Sequence, residues 1–344
     1  MKRTFFLLSV LFLATSCDDS SSVSGPTTSS SYTFVACEGN FGASDGTVYV
    51  IDEYGNTSNI GSLGDVVQSV EVSGDKLFVI VNNSHRIMVY DISETGISEP
   101  GIEVQTGNSS PREMVVLNNK VYFTNWNTQD VKVLNLTTYQ LESPLLLSGL
   151  PEDIITDGEY LYVSMPNLAL YDQNLGSNVV KIDPESMSVL ETYDVGLGPE
   201  SLLILNDEIY VARKNYSTDW YTTYYGSSKI SNGSVTSLDY GAGVACGGSI
   251  LVSNNTVYRT YDGGVAPLDA SSLEINAMGR IGSYGSSIYH AESIDDLIWL
   301  GLTDNTVRVM NSSGAEVGFY SCLLYTSDAA DEGLGVDLGG RRII

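Results

Sequence analysis

The feature that most constrains this fold is a repeat of about 44 residues. An aromatic residue inside a β-branched run recurs seven times, at Phe34, Phe78, Tyr122, Tyr162, Tyr210, Tyr258 and Trp299. A short alternating apolar run that ends in Asp or Asn follows most of these residues, as in Val48–Asp52 and Val131–Asn135. Runs of this kind are typical of short β-strands. A repeat of this length fits a four-stranded blade, so seven copies predict an all-β, seven-bladed β-propeller.

We letter the four strands of a blade A to D from the axis outward. We call the recurring aromatic residue of each repeat its aromatic mark. Pro111, Pro151 and Pro199 each precede an aromatic mark and are expected to begin an A strand. The aromatic mark is then strand B, and the run ending in Asp or Asn is strand C. Blade one begins with strand B at Thr33–Val35, so its A strand is expected to come from the C-terminus. We expect a truncation after Ser321 to have removed that closing inner strand.

The N-terminus has the pattern of a secretory signal, expected over residues 1–16. Lys2 and Arg3 precede a short apolar stretch, and Leu13 to Cys17 resembles a bacterial lipobox in which Cys17 receives the lipid. An ordinary signal peptide with a chance cysteine is the alternative. Residues 17–31 are rich in Ser, contain Thr, Gly and Pro, and predict a flexible tether. Location at the outer membrane or cell surface, with a lipid as the only membrane contact, is therefore expected.

The C-terminus does not continue the repeat. Residues 322–344 can be back-translated into two flanks of a transposase-based sequencing adapter, separated by room for a sample index. We therefore expect them to be read-through rather than native sequence, and we assign the propeller to residues 32–321.

Charge and cysteines narrow the possible partners. The chain carries a formal net charge of −26, which predicts repulsion of nucleic acid and of anionic surfaces. Apart from Cys17 and Cys322, only Cys37 and Cys246 remain, and buried thiols are a better interpretation than a disulfide framework. With His85 and His290 as the only histidines, no metal-ligand spacing is visible, and no cofactor is predicted.

The repeat marks resemble those of the YncE-like, lactonase-type seven-bladed propellers over about residues 32–321. The segment from Cys37 to Gly42, Cys-Glu-Gly-Asn-Phe-Gly, resembles the opening of a lipoprotein propeller family that includes surface cobalamin-binding (BtuG-like) members. This resemblance implies capture of a corrinoid for a TonB-dependent outer-membrane transporter.

In a propeller the B–C and D–A loops emerge on one face, around the mouth of the central channel. This chain places amide and aromatic residues in those loops, which favours a large, mostly neutral polar ligand such as a corrinoid, a glycan or a peptide. The predicted ligand-binding residues are Glu38, Asn40, Phe41, Asn83, His85, Arg112, Asn125, Trp126, Glu152, Arg213, Tyr216, Trp220, Tyr221, Tyr224, Tyr225 and Tyr261. The alternatives are that the amides cap turns, the aromatics pack on a neighbouring blade, and the charges form ion pairs between blades.

The sequence favours a surface binding protein over an enzyme. No nucleophile motif is visible, so no catalytic residue is predicted. Two other classes remain open. One is a lyase-like or lactonase-like propeller that uses a channel-face histidine or carboxylates, and the other is a structural or protein-interaction lipoprotein of the envelope.

Overall fold

The computed structural model describes residues 31–170, 174–243, 247–284 and 288–321. Within these ranges the chain forms 28 β-strands and one 3-10 helix, Ala277–Gly279, and the strands make seven antiparallel sheets in chain order. The prediction of an all-β, seven-bladed propeller is confirmed. No helix in the described part of the chain has the length and hydropathy needed to cross a membrane.

The first three blades contain β1 to β13. Blade one has β1 (Tyr32–Cys37), β2 (Gly46–Asp52) and β3 (Thr57–Gly64). Blade two has β4 (Val67–Ser73), β5 (Lys76–Val81), β6 (Arg86–Ser93), β7 (Gly96–Ile97) and β8 (Ile102–Gln105). Blade three has β9 (Pro111–Leu117), β10 (Lys120–Asn125), β11 (Asp130–Asn135), β12 (Gln140–Leu141) and β13 (Leu145–Leu146).

The last four blades contain β14 to β28. Blade four has β14 (Ile154–Thr156), β15 (Leu161–Asn167), β16 (Leu175–Asp183) and β17 (Ser188–Asp194). Blade five has β18 (Pro199–Leu205), β19 (Glu208–Tyr216), β20 (Thr223–Ser231) and β21 (Ser234–Ala242). Blade six has β22 (Ile250–Ser253), β23 (Thr256–Tyr261) and β24 (Gly264–Pro267). Blade seven has β25 (Ile288–Ile294), β26 (Leu297–Leu302), β27 (Thr306–Met310) and β28 (Glu316–Ser321).

The core lies between the blades. Seven clusters of buried apolar side chains occur, one between each pair of neighbouring blades. Successive residues of a strand point to opposite faces. Phe34 therefore packs toward blade two while its neighbour Val35 packs toward Trp299 of blade seven. Six of the seven aromatic marks are buried in this way and the seventh, Tyr258, is partly buried, which explains why the repeat is so regular.

The ring closes between blade seven and blade one. In the described residues blade one has three strands, and β1 occupies the B position because it pairs with β2 and packs against the B strand of blade seven. The Tyr289 hydroxyl also donates to Glu38 Oε2 at 3.1 Å, joining residues 251 positions apart. The predicted signal, lipid site, tether and C-terminal segment, and Cys246, lie outside the described residues, whereas Cys37 is buried.

Blade six departs from the predicted register. The pattern of a C strand that ends in Asp or Asn predicts that the C strand of blade six ends at Leu268–Asp269, but β24 ends at Pro267. Two isolated bridges, Val265 to Ile281 and Leu268 to Ile275, take the place of a regular fourth strand. Asp269 instead accepts hydrogen bonds from the backbone N–H groups of Ser271 and Ser272, as expected of a turn residue.

Backbone hydrogen bonds show which connections share a face. Asn82 N donates to Val66 O, Trp126 N to Ser110 O, and Leu150 N to Asn167 O. Each bond joins the B–C hairpin of one blade to the D–A connection that precedes the same blade. We call the side of the propeller that carries these connections the upper face. The predicted placement of both loop sets on one side therefore agrees with the described hydrogen bonds.

Candidate functional site

The inner strands surround a central channel of about 620 Å³. Side chains from blades two to seven contribute to its wall. The lining residues are Glu71, Glu113, Val115, Glu152, Asp153, Ile155, Thr156, Glu200, Ser201, Leu202, Leu203, Ile204, Ile250, His290, Glu292, Ser293, Ile294 and Asp295. Seven of them are carboxylic acids, and none is a lysine or an arginine.

The wall of the channel is divided chemically along the inner strands. Acidic side chains occur where these strands begin on the upper face, including Glu113 in β9, Asp153 before β14 and Glu200 in β18. Aliphatic side chains such as Ile155 and Leu203 follow further along the same strands. The channel therefore offers hydrogen-bond acceptors near its upper mouth and aliphatic side chains further along, where Glu71, Glu292 and Asp295 add acids at the same depth or below.

Bulges at the start of the inner strands aim the acidic and polar side chains. The ladders of four blades shift register there, so that Gln68, Arg112, Glu200 and Tyr289 lie at or beside the extra residue. A bulge twists a strand locally and turns a side chain away from the regular alternation. These side chains are thereby free to reach sideways to the next blade rather than only across their own sheet.

Arg112 joins three blades through such sideways contacts. Its Nε and Nη2 donate to the two carboxylate oxygens of Glu152 at 3.0 and 2.7 Å, and its Nη1 donates to Gln68 Oε1 at 2.8 Å. The guanidinium also lies 4.2 Å from the centroid of the Trp126 ring. Arg112 and Glu152 are each 1% exposed, so this bidentate pair is fully buried.

Glu200 lies in blade five, next to the blade that carries Glu152, and its half-buried side chain reaches toward blade six. Gly248 makes room for it, because a Cβ at that position would lie 1.6 Å from Glu200 Oε2. Burial raises the pKa of Glu200 above its ordinary value; the positive charge of Lys214 opposes this, and the negative charge of Glu152 adds to it. The group therefore holds a proton more strongly than a solvent-exposed glutamate does.

Lys214 belongs to a long hairpin of blade five. We call this hairpin, β19 and β20 with the turn 217–222 between them, the arm. Lys214 pairs with Tyr225, and Tyr216 with Thr223, across the two strands. Burial lowers the pKa of Lys214, whereas the negative charge of Glu200 and, to a smaller extent, Tyr216 raise it. The raising effects outweigh the burial, so the pKa of Lys214 lies above its ordinary value. One side of the arm thus presents a cation and tyrosines toward the acidic mouth.

Several predicted binding residues lock loops instead of lining the channel. The Asn40 N–H and side-chain amide both donate to the carboxylate of Asp45 at 2.6 Å. The Asn83 amide donates to Asp65 Oδ2 at 2.5 Å, and His85 Nδ1 accepts from the Ser110 N–H at 3.1 Å. These contacts match the alternative that amides cap turns, while ligand binding by the same residues stays a prediction.

Seven predicted residues were expected in loops but lie in strands: Arg112 in β9, Asn125 in β10, Arg213 and Tyr216 in β19, Tyr224 and Tyr225 in β20, and Tyr261 in β23. Asn125 ends β10 and is fully buried, and Arg213 lies in β19 and is 4% exposed. The Arg213 guanidinium donates to Leu238 O and to Asp239 Oδ1, toward the outer strand of its own blade. Both hairpins are therefore longer than the sequence indicated.

The structure divides the remaining predicted residues into three groups. Arg112, Trp126 and Glu152 come together in the buried network beside the channel. Tyr216, Trp220, Tyr221, Tyr224 and Tyr225 belong to the arm. Glu38, Phe41 and Tyr261 lie apart from both groups: Glu38 is buried and accepts from Tyr289, Phe41 is 49% exposed, and Tyr261 pairs with Gly264 at the end of β23.

The predicted set lacked most of the channel wall. Glu71, Glu113, Asp153, Glu200 and Glu292 line the channel. A signal for three of them was present in the sequence, because Glu113, Asp153 and Glu200 follow within two residues of Pro111, Pro151 and Pro199. Glu71 and Glu292 follow no proline, and nothing local distinguishes them from solvent-exposed acids.

Comparison with known proteins supports the fold alone. No protein-family profile matches the chain, and no curated protein matches it. Among solved structures, a chain of Kuenenia stuttgartiensis hydrazine synthase is 13% identical with a TM-score of 0.61, covering 78% of this chain and 90% of its own. Apo AztD from Citrobacter koseri is 12% identical with a TM-score of 0.53, covering 85% of this chain and 94% of its own. A putative 6-phosphogluconolactonase from Bacteroides uniformis is 9% identical with a TM-score of 0.57, covering 73% of this chain and 82% of its own. At these identities the chain shares the propeller fold with proteins of varied function.

Proposed function

We propose that this propeller binds a small ligand that is rich in hydrogen-bond donors, at the upper mouth of its channel. The observation that carries the proposal is the channel itself, whose volume of about 620 Å³ falls in the range of about 300–1,000 Å³ typical of small-molecule sites. Its wall combines an apolar belt with a small number of converging polar groups, which is the composition of a binding pocket rather than of a packed core.

The chemistry of the wall selects the ligand. Carboxylate oxygens accept hydrogen bonds, so Glu113 and Glu292 favour ligand amides, amines or hydroxyls, whereas both oxygens of Asp153 already accept from the backbone N–H groups of Ile154 and Leu202. The field of a chain with a net charge of −26 attracts cations and repels anions. Ile155 and Leu203 provide contact area for a hydrocarbon part. An amphipathic molecule that is neutral or positively charged satisfies all three conditions.

A corrinoid is the specific ligand that we propose to test first. Amide side chains surround its macrocycle and supply the donors that the acidic mouth lacks. Because a corrinoid is larger than the channel, it would lie across the mouth, with Tyr216 and Tyr225 of the arm at its edge. Anchoring through Cys17 at the cell surface and delivery to an outer-membrane transporter belong to the same proposal, and the N-terminal sequence supports them.

Calorimetric titration of the purified protein tests the proposal, with cyanocobalamin and spermidine as the two probes. We expect one of them to bind, and we expect Glu113→Gln and Glu200→Gln to weaken that binding at least tenfold, about 1.4 kcal/mol. Glu53→Gln is the matched control, because Glu53 is exposed in the β2–β3 turn on the opposite face. Absence of heat with both probes, or equal affinity in the channel variants and the control, would contradict the proposal.

A catalytic propeller is the second candidate, and His290 is the observation that favours it. His290 is 7% exposed and lines the channel together with Glu113 and Glu200. A histidine beside carboxylates can act as a general acid or base in a lyase-like reaction. Under this alternative, His290→Ala would abolish turnover of a bound ligand while leaving its affinity nearly unchanged. Chromatography of each probe after incubation with the protein would reveal such turnover.

A further inference from the structure

The tip of the arm, residues 217–222, is a rigid turn on the upper face. Ser217 N donates to Thr222 O at 2.8 Å, and Trp220 N donates to Ser217 O at 2.9 Å. Ser217 Oγ accepts from Thr222 N at 3.0 Å, while Asp219 Oδ1 accepts from Tyr221 N at 3.2 Å. Both the backbone and the short polar side chains therefore contribute hydrogen bonds within the tip, and such preorganisation favours binding because less entropy is lost when a partner binds.

Trp220 is held in an uncommon backbone conformation at this tip. Its φ of +64° lies in the left-handed region, which is unfavourable for a large side chain. Its indole packs against Tyr216 with ring centroids 5.9 Å apart and planes tilted by 41°. A glycine would meet the backbone requirement without strain. The indole adds the ring contact with Tyr216 to this turn.

Two tyrosines beside Trp220 are exposed. Tyr221 is 93% exposed and Tyr224 is 42% exposed. Such rings offer a large contact area at a small entropy cost, and a phenol hydroxyl at one end. Together with Trp220 they place three aromatic rings within five residues of one hairpin. This amount of exposed aromatic surface on a preorganised turn indicates a binding element.

The charges of the chain restrict what this element can bind. A net charge of −26 opposes association with a second copy of the chain or with an anionic partner. The tip, 217–222, contains Asp219 and no lysine or arginine. A neutral carbohydrate avoids the repulsion, its apolar ring faces can stack on the aromatic side chains, and its hydroxyls can donate to Asp219. We propose that the tip of the arm is a binding site for a neutral oligosaccharide, separate from the channel.

Four probes test this proposal by calorimetry on the whole protein: maltohexaose, cellohexaose, xylohexaose and mannohexaose. We expect at least one to bind and Tyr221→Ala to weaken that binding at least tenfold. Trp220→Gly should do the same, and because glycine accepts the positive φ, the variant should fold normally. Tyr54→Ala is the matched control, since Tyr54 is an 80% exposed tyrosine in the β2–β3 turn of blade one and should leave binding unchanged.

Three outcomes would overturn the proposal. They are no heat with any of the four sugars, equal binding in the Tyr221 and Tyr54 variants, and self-association in sedimentation that Tyr221→Ala abolishes. The last result would make the tip a protein interface. Glu113→Gln in the channel should leave oligosaccharide affinity unchanged, so failure here is distinguishable from failure of the channel proposal.

Discussion

Removing Arg112 should cost this protein a large part of its stability. Arg112→Met keeps a side chain of similar length but deletes the guanidinium. Glu152, which is 1% exposed, then holds a buried carboxylate whose two charge-assisted hydrogen bonds are gone. Gln68 and Trp126 lose their contacts with the same group. The perturbation therefore reaches blades two, three and four at once.

The magnitude follows from the burial of the Arg112–Glu152 pair. Breaking a buried ion pair by removing one partner costs about 3–5 kcal/mol, chiefly because the other charge stays buried and uncompensated. The contact with Trp126 adds about 0.5–2 kcal/mol. We therefore expect Arg112→Met to lower the free energy of unfolding by about 5 kcal/mol. With a urea m-value of about 3 kcal/mol/M, the unfolding midpoint should fall by about 1.7 M.

A double-mutant cycle separates the ion pair from simple loss of packing. Adding Glu152→Met to Arg112→Met removes the stranded carboxylate, and paired apolar replacement of a buried ion pair is often neutral. The double variant should thus be at least 2 kcal/mol more stable than Arg112→Met alone. Lys76→Met is the control, because Lys76 pairs with Asp91 at the surface and should lose no more than about 1 kcal/mol.

Urea unfolding followed by tryptophan fluorescence and far-UV circular dichroism measures four variants: Arg112→Met, Glu152→Met, the double variant and Lys76→Met. A loss below about 1 kcal/mol for Arg112→Met would refute the reasoning. So would a double variant whose loss equals the sum of the two single losses, because the two groups would then be energetically independent.

Three further predictions concern single sites. Because the pKa of Glu200 is raised, the folded chain keeps a proton that the unfolded chain loses. The free energy of unfolding should therefore fall as pH rises above the ordinary value of 4.5 toward the pKa in the folded chain. Glu200→Gln should flatten this part of the pH profile measured by urea unfolding. Gly248→Ala should displace the Glu200 carboxylate and weaken binding of any channel ligand in calorimetry, whereas an unchanged affinity would show that the carboxylate can move at no cost. Asn125→Ala should cost about 2–3 kcal/mol in urea unfolding, because the Ser109 hydroxyl and buried carbonyls lose their partner, and Asn127→Ala on the exposed turn should cost less than half as much.

Much of the fold was predictable because the pattern that specifies a blade is local. Strand alternation places consecutive residues on opposite faces, so an aromatic such as Phe34 inside a β-branched run identifies the strand between two blades. Turn residues such as Asp52 mark where the strands end. Blade six shows the limit of this approach. Its C strand is weak in the sequence and its fourth strand is replaced by two bridges, so the predicted register was shifted.

The upper face and its aromatic arm could also be predicted from the sequence. Which of their residues hold loops and which could face a ligand could not. Asn40, Asn83 and Asn125 look alike in the sequence, and only their neighbours in space show that each one holds a loop or a strand end. The same amide could as well have faced a ligand, since its chemistry does not distinguish the two roles.

The sequence by itself determined the number of blades, the position of their B strands and the acidic character of the chain. Tertiary structure alone decided which acids converge on the channel and which cation meets each of them. Arg112 reaches Glu152 40 residues away, and Tyr289 reaches Glu38 251 residues away, through bulges that turn these side chains sideways. Such contacts depend on how neighbouring blades pack around the axis, and that packing has no counterpart in the local pattern that defines a strand.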